Sequence, residues 1–188
     1  MVKLNRIYTR TGDGGEAGLV DGSRVSKAGP RMIAIGEVDE ANSAVGVAVA
    51  ELEFGSPAAA SLLRIQNELF DLGADIATPG EIEGALRIVA SQVARLEHEM
   101  DAANEQLEPL TSFILPGGSR AVAAVHLARA VVRRAERAVV ALAAAEPVNA
   151  EARAYLNRLS DYLFVTARHL AASQGGDVLW QPGATRTD

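Results

Sequence analysis

Four arginines and one glutamate lie close together in the stretch RAVVRRAER, which spans positions 129–137. At about 100° per residue in a helix, Arg129, Arg133 and Glu136 fall within a wedge of roughly 60°. Four positive charges against one negative charge give this stretch a charge of +3, in a chain whose net charge is −6. Two kinds of chemistry fit such a cluster: a structural network of ion pairs, or a site that binds an anion.

The helix that carries this cluster is predicted to run from about position 119 to 144, with apolar residues around most of its circumference. A helix of that composition is normally buried, so we expect its charges not to form a solvated face. Buried charges are costly unless they are paired. Taken by itself, the helix therefore favours the ion-pair network over the anion site.

A polar, glycine-rich segment near the start of the chain is the second candidate for chemistry. Residues 9–15 read TRTGDGG, and glycines allow backbone N–H groups to turn outward, where they can cradle a phosphate. The segment is neither a Walker A loop nor a Rossmann fingerprint, because no Gly-Lys-Ser/Thr follows and no strand of sufficient length precedes it. Lys27 could also reach a phosphate, although a solvated lysine and a disordered arm are the simpler interpretations.

Five helical segments are predicted to position these residues, at about 31–53, 57–76, 84–104, 119–144 and 149–173. The hydrophobic fraction is 48% and only 4% of residues are aromatic, which is typical of closely packed, alanine-rich helices. We expect no strand, internal repeat or second domain. We predict a single all-α domain with an arm at 1–30, a helical bundle at 31–174 and a tail at 175–188.

The first predicted helix carries a stripe of small residues with a carboxylate at its centre: Gly36, Asp39, Ser43, Gly46 and Ala50. Such a stripe lets another helix approach closely, and a carboxylate desolvated there would need a cation. Arg129 is a candidate partner, within the chain or across a subunit boundary. The alternative is an exposed Asp39 beside a coincidental run of small residues, and both interpretations stay open.

The second predicted helix carries three carboxylates near one another: Glu68, Asp71 and Asp75. Grouped carboxylates can bind a metal ion or perform acid–base chemistry. No histidine is near them in sequence, so we expect a solvated acidic face instead.

Phe113 lies in the loop sequence FILPGG and is expected to plug one end of the bundle rather than to contact a ligand. The three histidines, at positions 98, 126 and 169, lack metal-ligand spacing and are expected to be packing or surface residues. If the fourth and fifth helices are antiparallel neighbours, Asn157 faces Arg133 and Glu136.

Composition limits the class of protein. Cysteine is absent, which excludes disulfides and thiolate metal sites and fits a reducing compartment. The acidic balance argues against general nucleic-acid binding, which needs a broad basic surface. The first residues lack the apolar run of a signal peptide, and no stretch of about 18 uncharged apolar residues suggests a membrane span. We therefore expect a cytoplasmic protein.

Six stretches, in chain order, carry a resemblance to a known family: TRTGD at 9–13, GEVDEANS at 36–43, ELFDLGA at 68–74, FILPGG at 113–118, RRAER at 133–137 and YLNRLSD at 155–161. Together they resemble the PduO-type ATP:cob(I)alamin adenosyltransferases. The match runs from the N-terminal arm to Trp180 and so covers nearly the whole chain. No single stretch is decisive, but the ordered set is highly specific.

The resemblance implies a five-helix bundle with an ordered glycine-rich arm, assembled as a homotrimer with sites between subunits. It implies transfer of the 5′-deoxyadenosyl group of ATP to the cobalt of cob(I)alamin, giving adenosylcobalamin and triphosphate. Mg²⁺ is expected on the ATP phosphates, with no protein side chain as a metal ligand. A flavin-type reductase and an adenosylcobalamin-dependent acceptor enzyme are the expected partners.

The resemblance also implies roles for individual residues. The arm residues expected to wrap ATP are Thr9, Arg10, Thr11, Gly12, Gly15 and Lys27. The helix residues expected to bind ATP are Arg133, Arg134, Glu136, Arg137 and Asn157. Asp39 and Arg129 are expected to join two subunits beside the site. Phe113 is expected to pack near the corrin and keep the lower axial base off the cobalt. Arg133, Lys27 and Phe113 are the expected catalytic residues.

The sequence departs from the family pattern after Gly15, where many members have Ser or Thr and this chain has Glu16, Ala17 and Gly18. Lost hydroxyls and the added negative charge are expected to weaken ATP binding. A protein that binds without catalysis and a purely structural bundle are therefore alternatives. A conventional phosphoryl-transfer enzyme is disfavoured because P-loop and kinase motifs are absent.

Overall fold

The computed structural model describes residues 8–187 and contains five helices and one short hairpin. The helices are α1 (Pro30–Ala50), α2 (Pro57–Ile76), α3 (Ala90–Asn104), α4 (Arg120–Ala143) and α5 (Ala150–Ala172). The hairpin is formed by β1 (Glu16–Gly18) and β2 (Arg24–Ser26). The prediction of five helices is confirmed. Residues 1–7, the beginning of the predicted arm, and residue 188 lie outside the described residues.

Prolines and capping side chains set where the helices begin. Pro30 and Pro57 occupy the first turns of α1 and α2, where a missing N–H costs nothing. The side chains of Ser56, Ser119 and Asn149 accept backbone N–H groups at the starts of α2, α4 and α5. Such caps satisfy donors that the helix itself leaves unpaired. These sequence signals therefore explain why four predicted helix starts lie within one or two residues of the observed ones.

In the bundle, α1 packs against α4 and α2, while α5 packs against α4 and α3 and, less extensively, against α2. Aliphatic side chains fill the centre, among them Leu62, Ile65, Leu69, Leu72, Val125, Val132, Val139, Leu156, Leu159 and Leu163. Each buried leucine contributes about 1.5–3 kcal/mol relative to an exposed one. Within residues 8–187, no helix is both long enough and apolar enough to cross a membrane.

The hairpin in the arm contradicts the prediction that the chain has no strand. β1 and β2 pair antiparallel, with Glu16 opposite Ser26 and Gly18 opposite Arg24. Gly22 in the connecting turn has a φ of +84°, which glycine adopts without strain. The backbone N–H of Val20 donates to a carbonyl at the end of α2, at 3.2 Å, and so ties the hairpin to the bundle. Strands of three residues are too short to give a periodic signal.

The third helix begins at Ala90, six residues later than predicted. The segment before it is held by Asp75 of α2 instead of by helical hydrogen bonds. Arg87 Nη1 donates to Asp75 Oδ1 at 2.7 Å, and the N–H of Ile88 donates to Asp75 Oδ2 at 2.9 Å. Arg87 also donates to the carbonyl of Thr78 at 2.9 Å. These contacts fix an extended segment that local helix propensity does not reveal.

The acidic residues of α2 contradict the prediction of a solvated face. Glu68 is 6% exposed and Asp75 is 2% exposed, whereas Asp71 is half-buried. Glu68 pairs with Arg95 of α3 and accepts the hydroxyl of Tyr155 at 2.6 Å. Burial raises the pKa of Tyr155. Glu68 and Asp75 are four and three residues from the core Leu72, so they share its inward face.

Candidate active site

The arginine cluster of α4 divides into side chains that are free and side chains that are paired. Arg133 and Arg137 are exposed in the single chain, so the expectation that these charges would avoid a solvated face is wrong for them. Arg137 Nη1 donates to the backbone carbonyl of Arg133 at 3.0 Å. Within the described part of the chain, Arg133 forms no ion pair. These two guanidinium groups are available to an anion.

Arg134 has a different environment from its neighbour Arg133. Its Nε donates to Glu37 of α1 at 2.5 Å, and its Nη2 pairs with Glu40 one helical turn further on. The hydrogen bonds to Glu37 and then to Glu40 raise the pKa of Arg134. Arg134 therefore links α4 to α1, and the ion-pair interpretation holds for this residue.

Glu136 belongs to a chain of polar contacts that crosses three helices. Asn157 Nδ2 on α5 donates to Glu136 Oε1 at 2.9 Å, which confirms that Asn157 faces Glu136. Arg158 donates to Asn157 Oδ1 at 2.6 Å and to Glu97 of α3, also at 2.6 Å. The chain fixes the carboxylate of Glu136 one turn of helix from Arg133.

Asp39 and Arg129 are not paired within the chain. Asp39 is exposed, as are Gly36 and Ser43 of the predicted small-residue stripe. Arg129 is half-buried, and its Nε is buried without a hydrogen-bond partner among residues 8–187. Burial and then the nearby charge of Arg133 lower the pKa of Arg129. The intramolecular form of the predicted pair is therefore wrong, whereas a pair across a subunit boundary and an exposed Asp39 without a structural partner both stay open.

The other end of α4 borders a cavity of about 510 Å³ beside Phe113. Its walls are formed by Leu110, Ser112, Phe113, Ile114, His126, Arg129 and Phe164. Phe113 is 77% exposed, so the prediction that it plugs the bundle is wrong. The prediction failed because the loop lies against the C-terminal tail and not against the open end of the helices.

The loop around Phe113 is held by the tail through backbone hydrogen bonds. The N–H of Trp180 donates to the carbonyl of Phe113 at 2.7 Å. The N–H of Leu115 donates to the carbonyl of Val178 at 2.8 Å. The rings of Phe113 and Trp180 pack with centroids 6.1 Å apart. Sequence reasoning assigned the tail no role, and the one signal was the only tryptophan of the chain.

The buried Arg168 of α5 anchors both segments. It pairs with Asp177 at the start of the tail at 2.9 Å and donates to the carbonyl of Glu108 before the loop at 2.8 Å. A substitution at Arg168 would therefore release the loop and the tail together.

Lys27 lies against the glycine-rich loop of the arm. A methyl group at Gly12 would lie 2.9 Å from Lys27 Nζ, the flexible end of that side chain, which shows how closely Lys27 approaches the loop. The N–H of Lys27 donates to the carbonyl of Gly15 at 2.8 Å, and Gly15 has a φ of +85°. The predicted arm residues Gly12, Gly15 and Lys27 are thus brought together.

The rest of the arm is exposed and internally bonded. Thr9 and Thr11 share a hydrogen bond between their hydroxyls at 2.8 Å, and Arg10 between them has a φ of +62°. Glu16 forms an ion pair with Arg24 at 3.1 Å, which reduces the repulsion that we expected it to exert on phosphate.

The described part of the arm and the arginines of α4 are not joined by hydrogen bonds or ion pairs. Over residues 8–187, no hydrogen bond or ion pair links the arm to Arg133, Glu136 or Arg137. No group of three or more His, Asp or Glu side chains in that range could hold a metal ion. A cavity of about 790 Å³ at the α3–α5 end of the bundle includes none of the predicted site residues.

The fold and the site define a helical bundle whose fourth helix carries free guanidinium groups one turn from a mainly apolar cavity. Residues 7–170 match the family model for Cobalamin adenosyltransferase. This chain therefore belongs to the cobalamin adenosyltransferase family.

Individual relatives agree with that assignment over the full length. The Cobalamin adenosyltransferase of Cupriavidus metallidurans is 51% identical over 180 residues, covering 95% of this chain and 96% of that protein. The Corrinoid adenosyltransferase of Mycobacterium tuberculosis is 49% identical over 191 residues, covering 99% and 98%. A variant PduO-type ATP:corrinoid adenosyltransferase from Lactobacillus reuteri, solved with cobalamin and ATP, has a TM-score of 0.88 at 35% identity and covers 94% of this chain and 99% of that chain.

Proposed function

We propose that this protein is an enzyme that transfers the 5′-deoxyadenosyl group of ATP to the cobalt of cob(I)alamin. Family membership supports the reaction, and one structural observation supports the location. Within residues 8–187, Arg133 and Arg137 of α4 form no ion pair, and Arg129 on the same helix lines the cavity beside Phe113. A triphosphate site and a corrinoid site would therefore be adjacent along one helix.

The reaction needs no protein nucleophile or base. The electron pair of Co(I) attacks C5′ of ATP and forms the Co–C bond, while the C5′–O bond breaks and its electron pair leaves with triphosphate. The protein then has two tasks, which are to align C5′ with cobalt and to stabilise the charge on the departing triphosphate. Positioning lowers the barrier by several kcal/mol, and preorganised cations act where charge develops.

Arg133, Arg137 and Lys27 are the cations that we assign to triphosphate. A planar guanidinium group can grip two phosphate oxygens at once, whereas a lysine acts as a point charge. Glu136, fixed by Asn157, would orient the arginines or hold the ribose. Arg134 is engaged by Glu37 and Glu40, so we propose that it contributes to the ATP site by fixing α4 against α1.

The arm would complete the ATP site from a neighbouring subunit. The arm residues Thr9, Arg10, Thr11, Gly12 and Gly15 are separated from α4 within one chain. A homotrimer in which each arm reaches the next subunit would bring the two halves together. The exposed Asp39 and the unpaired Arg129 would then pair across the subunit boundary beside the site. Mg²⁺ would arrive on the phosphates of ATP, since no carboxylate cluster among residues 8–187 fits it.

Phe113 would act on the cobalt side. An exposed aromatic ring at the mouth of a cavity offers an apolar surface to the corrin face. Such a surface would exclude both water and the lower axial nitrogen base, and a cobalt without that ligand is more easily reduced to Co(I). A cytoplasmic location, a flavin-type reductase that supplies this electron and an acceptor enzyme for adenosylcobalamin complete the proposal.

A direct assay tests the reaction. The purified chain is mixed anaerobically with ATP, Mg²⁺ and chemically reduced cob(I)alamin, and the corrinoid spectrum and the phosphate products are followed. We expect adenosylcobalamin and triphosphate in equal amounts. No product from fully reduced substrate would contradict the proposal, and ADP or pyrophosphate as the primary product would indicate phosphoryl or nucleotidyl transfer. Binding of ATP and cob(I)alamin without any adenosylcobalamin in a single-turnover assay would identify a binding protein.

A further inference from the structure

Two of the side chains that line the Phe113 cavity carry a buried nitrogen atom with no hydrogen-bond partner among residues 8–187. They are Nδ1 of His126 and Nε of Arg129, one turn apart on α4. Unpaired buried polar atoms are rare in folded proteins, because each costs about 1–3 kcal/mol in lost hydration. Two of them on one wall indicate that the wall is completed by something other than residues 8–187.

Arg129 already has a partner in the proposed function, through Asp39 of a second subunit, whereas His126 has none. His126 is 3% exposed, and its ring packs against Phe164 of α5 with centroids 6.4 Å apart. Packing alone would be served by an aliphatic or aromatic residue without an unpaired nitrogen. The imidazole therefore suggests a ligand with a hydrogen-bonding group at the cavity wall.

The environment of His126 favours an uncharged ligand group. Burial, reinforced by the charge of Arg129, lowers the pKa of His126, whereas Asp177 opposes this effect. A neutral imidazole offers one donor and one acceptor. A carboxamide, which also has both, is the matching group. Primary carboxamides are the polar groups on the periphery of a corrinoid, whose macrocycle is otherwise suited to an apolar cavity.

We propose that His126 binds a peripheral carboxamide of the corrinoid through Nδ1 and so fixes the rotation of the macrocycle beneath Phe113. This inference rests on the proposed function, because it takes the corrinoid as the occupant of the cavity. His126 is a positioning residue in this role, since it contacts the rim of the substrate and not the reacting atoms.

The test compares carboxamide-modified corrinoids on matched variants of the full-length protein. Cob(II)alamin and derivatives in which a single side-chain amide is converted to a methyl ester are titrated anaerobically in the presence of ATP, with absorbance as the readout. For His126→Leu we expect affinity for cob(II)alamin to fall about five- to twenty-fold, which is typical of one lost buried hydrogen bond. His126→Gln retains a donor and an acceptor, so its affinity for cob(II)alamin is expected to fall less. His98→Leu, at an exposed position on α3, is the control.

The result specific to this inference is that the effect of modifying one particular amide depends on the presence of His126. Modifying that amide should change the affinity of the wild-type chain but leave that of His126→Leu unchanged, whereas the other derivatives should affect both chains alike. The inference would be overturned if each amide modification changed the affinities of wild type and His126→Leu by the same factor. Equal affinities of the two chains for cob(II)alamin would also overturn it. If His126→Leu fails to fold, His126→Asn replaces it, because its shorter amide cannot reach the same position.

A separate result distinguishes this inference from the proposed function. If the wild-type chain binds no corrinoid and forms no adenosylcobalamin, the proposed function itself fails. If the wild-type chain binds and reacts, but the effect of each amide modification on affinity does not depend on His126, only the positioning role is lost.

Discussion

The buried polar groups of α2 and those beside Phe113 differ in whether the chain itself satisfies them. Asp75 accepts three donors within the bundle, and both carboxylate oxygens of Glu68 are engaged. In contrast, the nitrogens of His126 and Arg129 have no partner among residues 8–187. All four are polar residues in helices that also carry apolar positions, and the sequence pattern alone does not show which of them the fold satisfies. The difference indicates that the first pair maintains the fold, and it supports the proposal that the second pair meets a ligand or a neighbouring subunit.

The same distinction separates Arg133 from Arg134, which are adjacent in the chain. Arg134 is tied to two carboxylates of α1, whereas Arg133 forms no ion pair within residues 8–187. A residue whose charge is unused by the fold can be removed without unfolding the protein. Substitution of a polar residue that the fold satisfies should therefore lower stability and leave activity unchanged. Substitution of an unsatisfied polar residue should lower activity and leave stability unchanged.

The largest effect is expected for Arg133→Ala. Turnover should fall by about 10²- to 10³-fold, because a cation placed where the triphosphate charge develops is removed. The midpoint of denaturant unfolding should stay within experimental error of wild type. Initial rates of adenosylcobalamin formation and equilibrium unfolding measure the two quantities. Arg120→Ala, at an exposed position at the start of the same helix, should change neither. A stable variant with normal turnover would remove Arg133 from the site.

Glu68→Ala should show the opposite behaviour. Arg95 and the hydroxyl of Tyr155 lose their partner in the core, so the free energy of unfolding should fall by about 2–3 kcal/mol. Activity per folded molecule should be preserved, because Glu68 does not line the cavity beside Phe113. Asp71→Ala, at a half-buried position on the same helix, should cost less than about 0.5 kcal/mol. Loss of turnover without loss of stability would reverse the assignment of Glu68.

What the sequence could predict follows from the same contrast. Helical periodicity and capping residues predicted five helices, because both signals are local. The partners of Glu68 and Asp75 come from α3, α5 and the segments between helices, so their burial depends on tertiary packing. The position of Phe113 depends on a tail that begins only after α5 has ended, where Asp177 pairs with Arg168. Local patterns carry no information about these distant contacts.

The site residues were predicted from the motif resemblance and not from local periodicity. The motif resemblance selected Arg133, Lys27 and Phe113, whereas the charge pattern of the helix alone favoured an ion-pair network. That local interpretation holds for Arg134 and fails for Arg133. Periodicity could not separate the two, because which side of α4 meets α1 is decided by the packing of the whole bundle.

A smaller effect is expected from pH, acting on His126. Burial lowers the pKa of His126 in the folded chain, so below the ordinary value of 6.5 the unfolded chain takes up a proton that the folded chain resists. Stability should therefore fall as the pH falls through 6.5 toward the folded-state pKa. The contribution is at most about 1.4 kcal/mol per pH unit.

His126→Gln cannot take up this proton, and it leaves the carboxylates of the chain unchanged. The free energy of unfolding of wild type relative to His126→Gln should therefore decrease between about pH 7.5 and pH 5.5. Denaturant titrations at several pH values measure the difference. A difference that stays constant over this range would show that His126 is protonated as readily in the folded chain as in the unfolded one.

The smallest effect is expected in the arm, where Glu16 stands in place of a hydroxyl residue and pairs with Arg24. Both side chains are about half exposed, so the pair contributes little to stability. Its proposed importance is to neutralise a carboxylate near the loop that we propose binds phosphate. Arg24→Ala should therefore weaken ATP binding by about two- to five-fold, and Arg24→Ala with Glu16→Ser should restore it.

Calorimetric titration at low ionic strength measures the ATP affinity of both variants, and added salt should reduce the difference because exposed charges are screened. If the single and double variants bind ATP equally, the charge of Glu16 is irrelevant to the site, and the weakening expected from the sequence would come from the missing hydroxyl alone.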